Sequence, residues 1–153
     1  MASVVSPNGV AVGSTVEGDL WIFDPDTLEK LDELPGLHGY AELLTLNADG
    51  TTLAAENESD GIRIYDVPSR TQLGENIPDV DGALGYFAMR PDGLELAVPY
   101  GDLGLVLWDL DPQHWLDAAC SLAGRNLSQQ EWDQYLGSFG EYHQSCNGDL
   151  FNP

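Results

Sequence analysis

Short hydrophobic runs separated by glycine-containing turns alternate along the first two thirds of the chain. The middle third is the clearest example: a turn ends at Gly50, and Asp60-Gly61 is typical of a tight two-residue hairpin, because both residues tolerate the left-handed backbone region. The strands predicted around these turns are residues 43–46, 52–55 and 62–65, with a weak fourth strand at 71–74. This pattern predicts an antiparallel four-stranded unit.

The same order of strands and turns recurs three times. The turn glycines Gly9, Gly50 and Gly93 are 41 and 43 residues apart, and the strand-ending aspartates Asp24, Asp66 and Asp109 are 42 and 43 apart. A fixed period near forty residues indicates stacked copies of one supersecondary structure. The three units are predicted at about 3–42, 43–83 and 84–110 within a β region of residues 1–110, and the last unit lacks a fourth strand.

The hydrophobic period changes from two to 3.6 residues after Asp109. Asp111 is a good helix N-cap, Pro112 suits the first helical position, and Gly124 is a natural stop. Ser128 and Glu131 have the spacing of a capping box, which opens a second helix. The sequence therefore predicts a helical hairpin over residues 111–137 and an irregular tail over 138–153.

Charge is the compositional outlier, since 26 acidic residues face five basic ones for a net charge of −21. This balance excludes binding to nucleic acid, which needs lysine and arginine, and disfavours anionic membranes. No segment has the pattern of a signal peptide or a membrane span, so a cytoplasmic location is expected. The acidity fits either a basic protein partner or an adaptation to salt.

Motifs of enzymes and of metal or cofactor sites are not found in the sequence. His114, Cys120, His143 and Cys146 could be combined into a zinc site, but His114 and Cys120 lie about 240° apart around a helix and do not converge. Residues 79–82 resemble part of a calcium loop, yet lack the further oxygen ligands and distal glutamate. We therefore expect no metal, no cofactor and no catalytic residues.

The three repeats resemble the Trp-Asp repeats of β-propellers. The dipeptide that names them is Trp108-Asp109 in the third unit, Tyr65-Asp66 in the second and Phe23-Asp24 in the first. The tail is similar to the end of bacterial WD-repeat proteins through Ala119-Cys120, residues 123–128, Glu131-Trp132, Tyr135 and Cys146. The resemblance implies a mainly β fold: a partial β-propeller of three four-stranded blades, the last incomplete, followed by a C-terminal helical hairpin.

The resemblance also implies roles for individual residues. Trp21, Tyr65 and Trp108 are expected at equivalent buried positions, with Asp24, Asp66 and Asp109 ending the same strands. Apart from the resemblance, Trp115 and Trp132 lie on apolar helical stripes, so the pattern predicts that they pack in the helical core. Cys120 and Cys146 are expected close together, as a disulfide if oxidised or as thiols in a reducing cytosol.

A non-catalytic protein-interaction scaffold is the implied function, as the C-terminal part of a larger bacterial signalling or regulatory protein. Loops on a rigid scaffold are where recognition concentrates. The predicted contact residues are Glu17, His38, Glu58, Asp60, Asp79, Asp81, Tyr100 and Asp102, with Tyr100 as the best aromatic anchor and His38 hydrogen-bonded to the aspartate of the hairpin turn.

Two alternatives remain open: a purely structural capping or oligomerising propeller fragment, and an enzyme with a site in the propeller channel. Three blades do not close a ring, because propellers have about four to eight. We therefore expect either self-association or contact with the missing blades of a parent chain.

Overall fold

The structure, a computed structural model, describes residues 2–79, 86–138 and 140–146. The chain divides into two compact units, Met1–Asp109 and Leu110–Pro153. The described part of the first unit consists of three antiparallel sheets, and that of the second contains two helices.

Each sheet is a meander in which strands that are consecutive along the chain are hydrogen-bonded neighbours. The first sheet contains β1 (Ser3–Val5), β2 (Ala11–Ser14), β3 (Leu20–Phe23) and β4 (Lys30–Leu34). The second contains β5 (Leu43–Leu46), β6 (Thr52–Asn57), β7 (Gly61–Asp66) and β8 (Thr71–Ile77). The third contains β9 (Ala88–Met89), β10 (Glu95–Pro99) and β11 (Leu105–Asp109). The predicted mainly β fold with an incomplete third unit is confirmed for the described residues.

One expected equivalence between the sheets is wrong. The cross-strand pairs that match between sheets are Ala11–Phe23, Leu53–Tyr65 and Leu96–Trp108. Trp21 instead lies opposite Gly13, two residues earlier on its strand, so Phe23 occupies the position assigned to Trp21. The reason is register: the strand position is fixed by its distance from the terminal Asp24, not by the identity of the aromatic residue.

The main hydrophobic cluster draws on the first two sheets and the segment that connects them. Its members are Val12, Leu20, Leu34, Leu37, Ala41, Leu44, Leu53, Ala55, Tyr65 and Val67. Burying one leucine or valine side chain stabilises a fold by about 1.5–3 kcal/mol. The first two sheets are therefore held together by a continuous apolar core.

Turn glycines bring successive sheets into close contact. A methyl group added at Gly50, in the β5–β6 turn, would lie 2.7 Å from Cβ of Val10 in the β1–β2 turn of the first unit. A methyl group at Gly93, in the β9–β10 turn, would lie 2.7 Å from Nδ2 of Asn47 in the β5–β6 turn of the second unit. Both glycines have positive φ, +75° and +79°, which disfavours other residues further. This turn of each later unit thus packs directly on the corresponding turn of the unit before it.

Both helices begin where their capping residues predict, and the second ends at Tyr135, slightly before the predicted end of the hairpin at residue 137. α1 (Pro112–Ala123) starts after Asp111, whose side chain accepts a hydrogen bond from the backbone N–H of Gln113, and is followed by a left-handed Gly124. The Ser128 and Glu131 capping box opens α2 (Gln129–Tyr135). Local capping chemistry therefore determines both helix starts.

A disulfide and a buried tryptophan organise the helical unit. Cys120 of α1 is bonded to Cys146, with their Cα atoms 5.5 Å apart. The Nε1–H of Trp132 donates to the carbonyl of Gly140 at 3.0 Å, and its ring is buried as expected. The expectation that Trp115 lies in the core is wrong: the residue is 41% exposed, and the buried residue of α1 is Cys120.

Candidate interaction surface

One end of the three sheets carries the turns β2–β3, β6–β7 and β10–β11 together with the connection from β4 to β5 and residues 78–79, which follow β8. In a meander these segments lie at the same end of the strands. We call this surface the loop face, and define it by residues 15–19, 35–42, 58–60, 78–79 and 100–104. Within this surface, Leu37 N donates to Gly18 O and Tyr100 Oη donates to Pro78 O, and Asn76 Nδ2 at the adjoining end of β8 donates to Asp60 O. Loops from all three sheets therefore form one connected surface.

Asp60 is the centre of a charged network on the loop face. Its carboxylate accepts hydrogen bonds from the backbone N–H of His38 at 2.7 Å and from the Arg63 guanidinium at 2.9 Å, and its other contact is His38 Nδ1 at 2.7 Å. Burial opposes ionisation of Asp60, but the hydrogen bonds from His38 and Arg63 outweigh it and lower the pKa of Asp60 to about 2. The structure thus places His38 on the hairpin aspartate, as the resemblance implied.

Two predicted contact residues are not available to a partner. The Asp60 side chain is only 5% exposed, because it is surrounded by His38 and Arg63. Tyr100 is 4% exposed, and its hydroxyl donates to the carbonyl of Pro78 at 3.3 Å. The interpretation of Tyr100 as the aromatic anchor is therefore wrong, because its side chain is buried. The 3₁₀ turn Gly101–Leu103 follows directly.

The other predicted contact residues differ in exposure. Glu17, Glu58, Asp102 and His38 are exposed, and Asp79 is partly buried. Asp81 lies outside the described residues. The exposed members alone give the loop face an acidic surface.

Tyr40 is an exposed aromatic residue of the loop face that the sequence analysis missed. Its side chain is 51% exposed, and its hydroxyl lies 3.5 Å from Oε1 of Glu42. It borders a shallow depression of about 70 Å³ lined by His38, Gly39, Tyr40, Glu42, Asn57, Glu58 and Ser59. Its position in the same connection as His38 was the available signal.

Glu56 of β6 is a carboxyl group whose acidity the fold changes. It lies opposite Leu43 of β5 and is partly buried. Burial raises the pKa of Glu56 to about 7, with a further contribution from the negative charges of Glu42 and Asp79. Glu56 therefore holds its proton to a higher pH than an ordinary glutamate does, and nothing in the sequence pattern of the strand indicates this.

The chemistry available on this surface is that of carboxylates, one imidazole and one phenol. Among residues 2–79, 86–138 and 140–146, no group of three or more His, Cys, Asp or Glu residues is arranged to hold a metal ion. No helix in the described part of the chain is long and apolar enough to cross a membrane. The surface is suited to ion pairing and aromatic contact with a cationic group.

No family model matches this chain, but proteins of three fungi are similar to part of it in sequence. Periodic tryptophan protein 2 homolog of Schizosaccharomyces pombe is 31% identical over 108 residues, covering 69% of this chain and 12% of that protein. The homolog of Neurospora crassa is 30% identical over 125 residues, covering 78% and 14%. Periodic tryptophan protein 2 of Saccharomyces cerevisiae is 33% identical over 96 residues, covering 61% and 10%. The chain therefore matches only a small part of each relative.

Solved structures identify the architecture. The structure of U3-55K has a TM-score of 0.60 at 20% identity, covering 71% of this chain and 35% of that one. The crystal structure of RRP9 WD40 repeats gives a TM-score of 0.60 at 20% identity, covering 71% and 34%. At this level of identity the likeness concerns the fold. The three sheets of this chain are blades of the WD40 β-propeller fold.

Proposed function

We propose that the chain is a non-catalytic protein-interaction module whose loop face receives a cationic segment of a partner protein. The WD40 fold supports this proposal because it holds many loops rigidly at one end of the blades. Its similarity to WD-repeat proteins points in the same direction by analogy.

The observation that carries the proposal is the combination of residues around the depression beside Tyr40. Glu42 and Glu58 are exposed at this depression, and Tyr40 offers an aromatic face. The guanidinium of Arg63 nearby is 12% exposed and already paired with Asp60, so it leaves the surface charge acidic. A lysine or arginine side chain therefore meets carboxylates and a ring together.

A charge-matched comparison tests this assignment. The probe is a synthetic peptide of alternating lysine and serine, titrated calorimetrically over a range of salt concentrations. Glu42→Gln with Glu58→Gln is expected to weaken binding about fivefold, since two exposed ion pairs contribute about 1 kcal/mol together. The control, Asp26→Asn with Glu29→Gln in the β3–β4 turn, removes the same charge from exposed positions outside the loop face.

Two experimental results would contradict the proposal. Equal loss of binding in both double variants would mean that the peptide responds to net charge alone. Unchanged affinity in a Tyr40→Ala variant would show that the ring does not contact the peptide. An exposed cation–aromatic contact contributes about 0.5–1 kcal/mol, so its loss should be measurable.

We also propose that the chain is the C-terminal part of a larger signalling or regulatory protein. The helical tail, which is similar to the end of bacterial WD-repeat proteins, supports a C-terminal place in a signalling or regulatory chain. The named relatives are fungal, so they give no support to a bacterial origin. The gene that encodes the chain, sequenced on both sides, tests the placement directly.

Assembly with a further blade is the second candidate function. The first blade carries an open apolar groove that includes Gly13, Val16, Trp21 and Phe23. The core between the first two blades is formed by blade faces, so a preceding WD40 blade is the occupant we propose. If copies of the chain supply this blade to one another, light scattering should show self-association. The substitution Trp21→Glu in the groove should then abolish the self-association. The enzyme alternative has no supporting observation among the described residues.

A further inference from the structure

The helix α1 of the second unit turns its apolar side to solvent. Its buried residue is Cys120, which is bonded to the tail, and Asp117 is half-buried. Since each residue advances about 100° around a helix, Trp115 lies about 140° from Cys120 and about 160° from Asp117. The exposed residues on the side of Trp115 are Trp115, Ala118, Ala119 and Leu122. We call these four residues the outer face of α1.

The outer face of α1 is exposed and uncharged. Leu122 is 89% exposed and Trp115 is 41% exposed. The one acidic residue of the helix, Asp117, lies on the other side, and the helix contains no lysine or arginine. The chain as a whole carries a net charge of −21, so an uncharged apolar face differs from its general composition. Clustered apolar side chains on a surface indicate an interaction site, and this one is suited to an apolar partner surface.

The side chains of the outer face have the same order of sizes in both directions. Trp115 and Leu122 at the two ends are large, and Ala118 and Ala119 between them are small. Two α1 helices that pair antiparallel about the midpoint of the alanines place Trp115 of each copy beside Leu122 of the other. The alanines then meet at the crossing, where small side chains let helix axes approach closely. A twofold interface requires such self-complementarity.

We propose that the outer face of α1 is a self-association site, at which two copies of the chain pair through antiparallel α1 helices. Antiparallel pairing also brings opposite ends of the two helix dipoles together. The site belongs to the second unit, so it is separate from the loop face and from the apolar groove of the first blade. A contact between two helices of 12 residues is small, so the dimer is weak and reversible.

The net charge of the chain gives this association a characteristic salt dependence. Two copies with a charge of −21 each repel at low ionic strength, and salt screens the repulsion. The apolar contact itself is not weakened by salt. Self-association should therefore strengthen as the salt concentration rises, whereas binding of a cationic peptide to the loop face should weaken.

Sedimentation equilibrium of the full chain measures the association. At high salt we expect a monomer–dimer equilibrium with a Kd of about 100 μM. The Kd should fall at least about fivefold between about 50 mM and about 500 mM sodium chloride.

Matched substitutions at high salt locate the contact. Leu122→Glu is expected to raise the Kd at least about tenfold, because symmetry places two charges at apolar contacts. Leu122 is exposed, so the variant should fold, which circular dichroism checks. The control is Leu31→Glu on β4, where the leucine is 62% exposed and the added charge is the same. Its Kd should stay within about twofold of the wild-type value.

A third substitution tests the geometry of the pair. Ala119→Leu enlarges the apolar area of the outer face, and leucine is nearly as good a helix former as alanine. General hydrophobic adhesion would therefore become stronger. At a close crossing the two leucines instead hold the helices apart, so the Kd should rise at least about threefold.

Four results would each overturn the proposal. One is a monomer at high salt up to a concentration of about 1 mM. Another is equal weakening by Leu122→Glu and Leu31→Glu, which would indicate a general charge effect. The third is tighter association of Ala119→Leu. The fourth is an association that Trp21→Glu abolishes and Leu122→Glu leaves intact, since the groove of the first blade would then be the contact.

Discussion

Replacing Glu56 by glutamine should stabilise the protein at alkaline pH. The fold raises the pKa of Glu56 from 4.5 to about 7, by burial first and then by the charges of Glu42 and Asp79. Without solvent screening, a pKa difference of this size between the folded and unfolded states would disfavour the ionised form by about 3 kcal/mol. Glu56 is only partly buried, so solvent screening reduces the expected gain to about 1 kcal/mol.

The sign of the pH dependence follows from the raised pKa. Between about pH 4.5 and pH 7 the folded state binds more protons than the unfolded state, so wild-type stability falls as the pH rises through this window. Well above pH 7 the cost of the ionised carboxylate is fully present. Glu56→Gln removes that cost, so the two proteins should differ most at pH 8 and least at pH 4.

Urea unfolding at a series of pH values measures this difference. The control variant is Glu29→Gln, which removes a carboxylate from an exposed turn. A Glu56→Gln protein that is no more stable than wild type at pH 8 would refute the reasoning. So would a gain of the same size at pH 4, because that gain would not come from ionisation.

Three further perturbations have expected outcomes. Asp60→Ala should cost about 2–4 kcal/mol in urea unfolding, since it strands the guanidinium of Arg63, and the wild type should lose stability as the pH falls from about 4 towards 2. Gly93→Ala should lower the free energy of unfolding by about 1–3 kcal/mol because its methyl group meets Asn47; an unchanged melting temperature would contradict this. Cys120→Ser should destabilise the helical unit by about 3 kcal/mol, seen as faster hydrogen exchange in both helices.

Local chemistry made the strands and helices predictable. The turn glycines and the period near forty residues located the blades, and Asp111 and Ser128 located the two helix starts. These signals act over a few neighbouring residues, so the sequence contains them. The paired Cys120 and Cys146 came from the resemblance of the tail rather than from local pattern.

The exposure, register and pKa of individual side chains could not be predicted, because they depend on contacts between residues that are distant in the sequence. Tyr100 and Tyr40 both lie in predicted loops, and only packing decides that the first ring points inward and the second outward. Trp21 was placed by residue type, whereas cross-strand register gives its position to Phe23. The pKa of Glu56 depends on a neighbouring strand and the next connection, which no single segment specifies.

The contacts of the turn glycines have a consequence for how such a chain changes during evolution. Gly50 meets the first blade and Gly93 meets the second, so each blade supplies a receiving surface on one side and a fitting turn on the other. A duplicated blade carries both halves of this contact with it. Gene duplication can therefore add whole blades without new compensating mutations at the junction. Insertion of a single residue in one of these turns would disturb two blades together, so blade number should vary among descendants more readily than turn length.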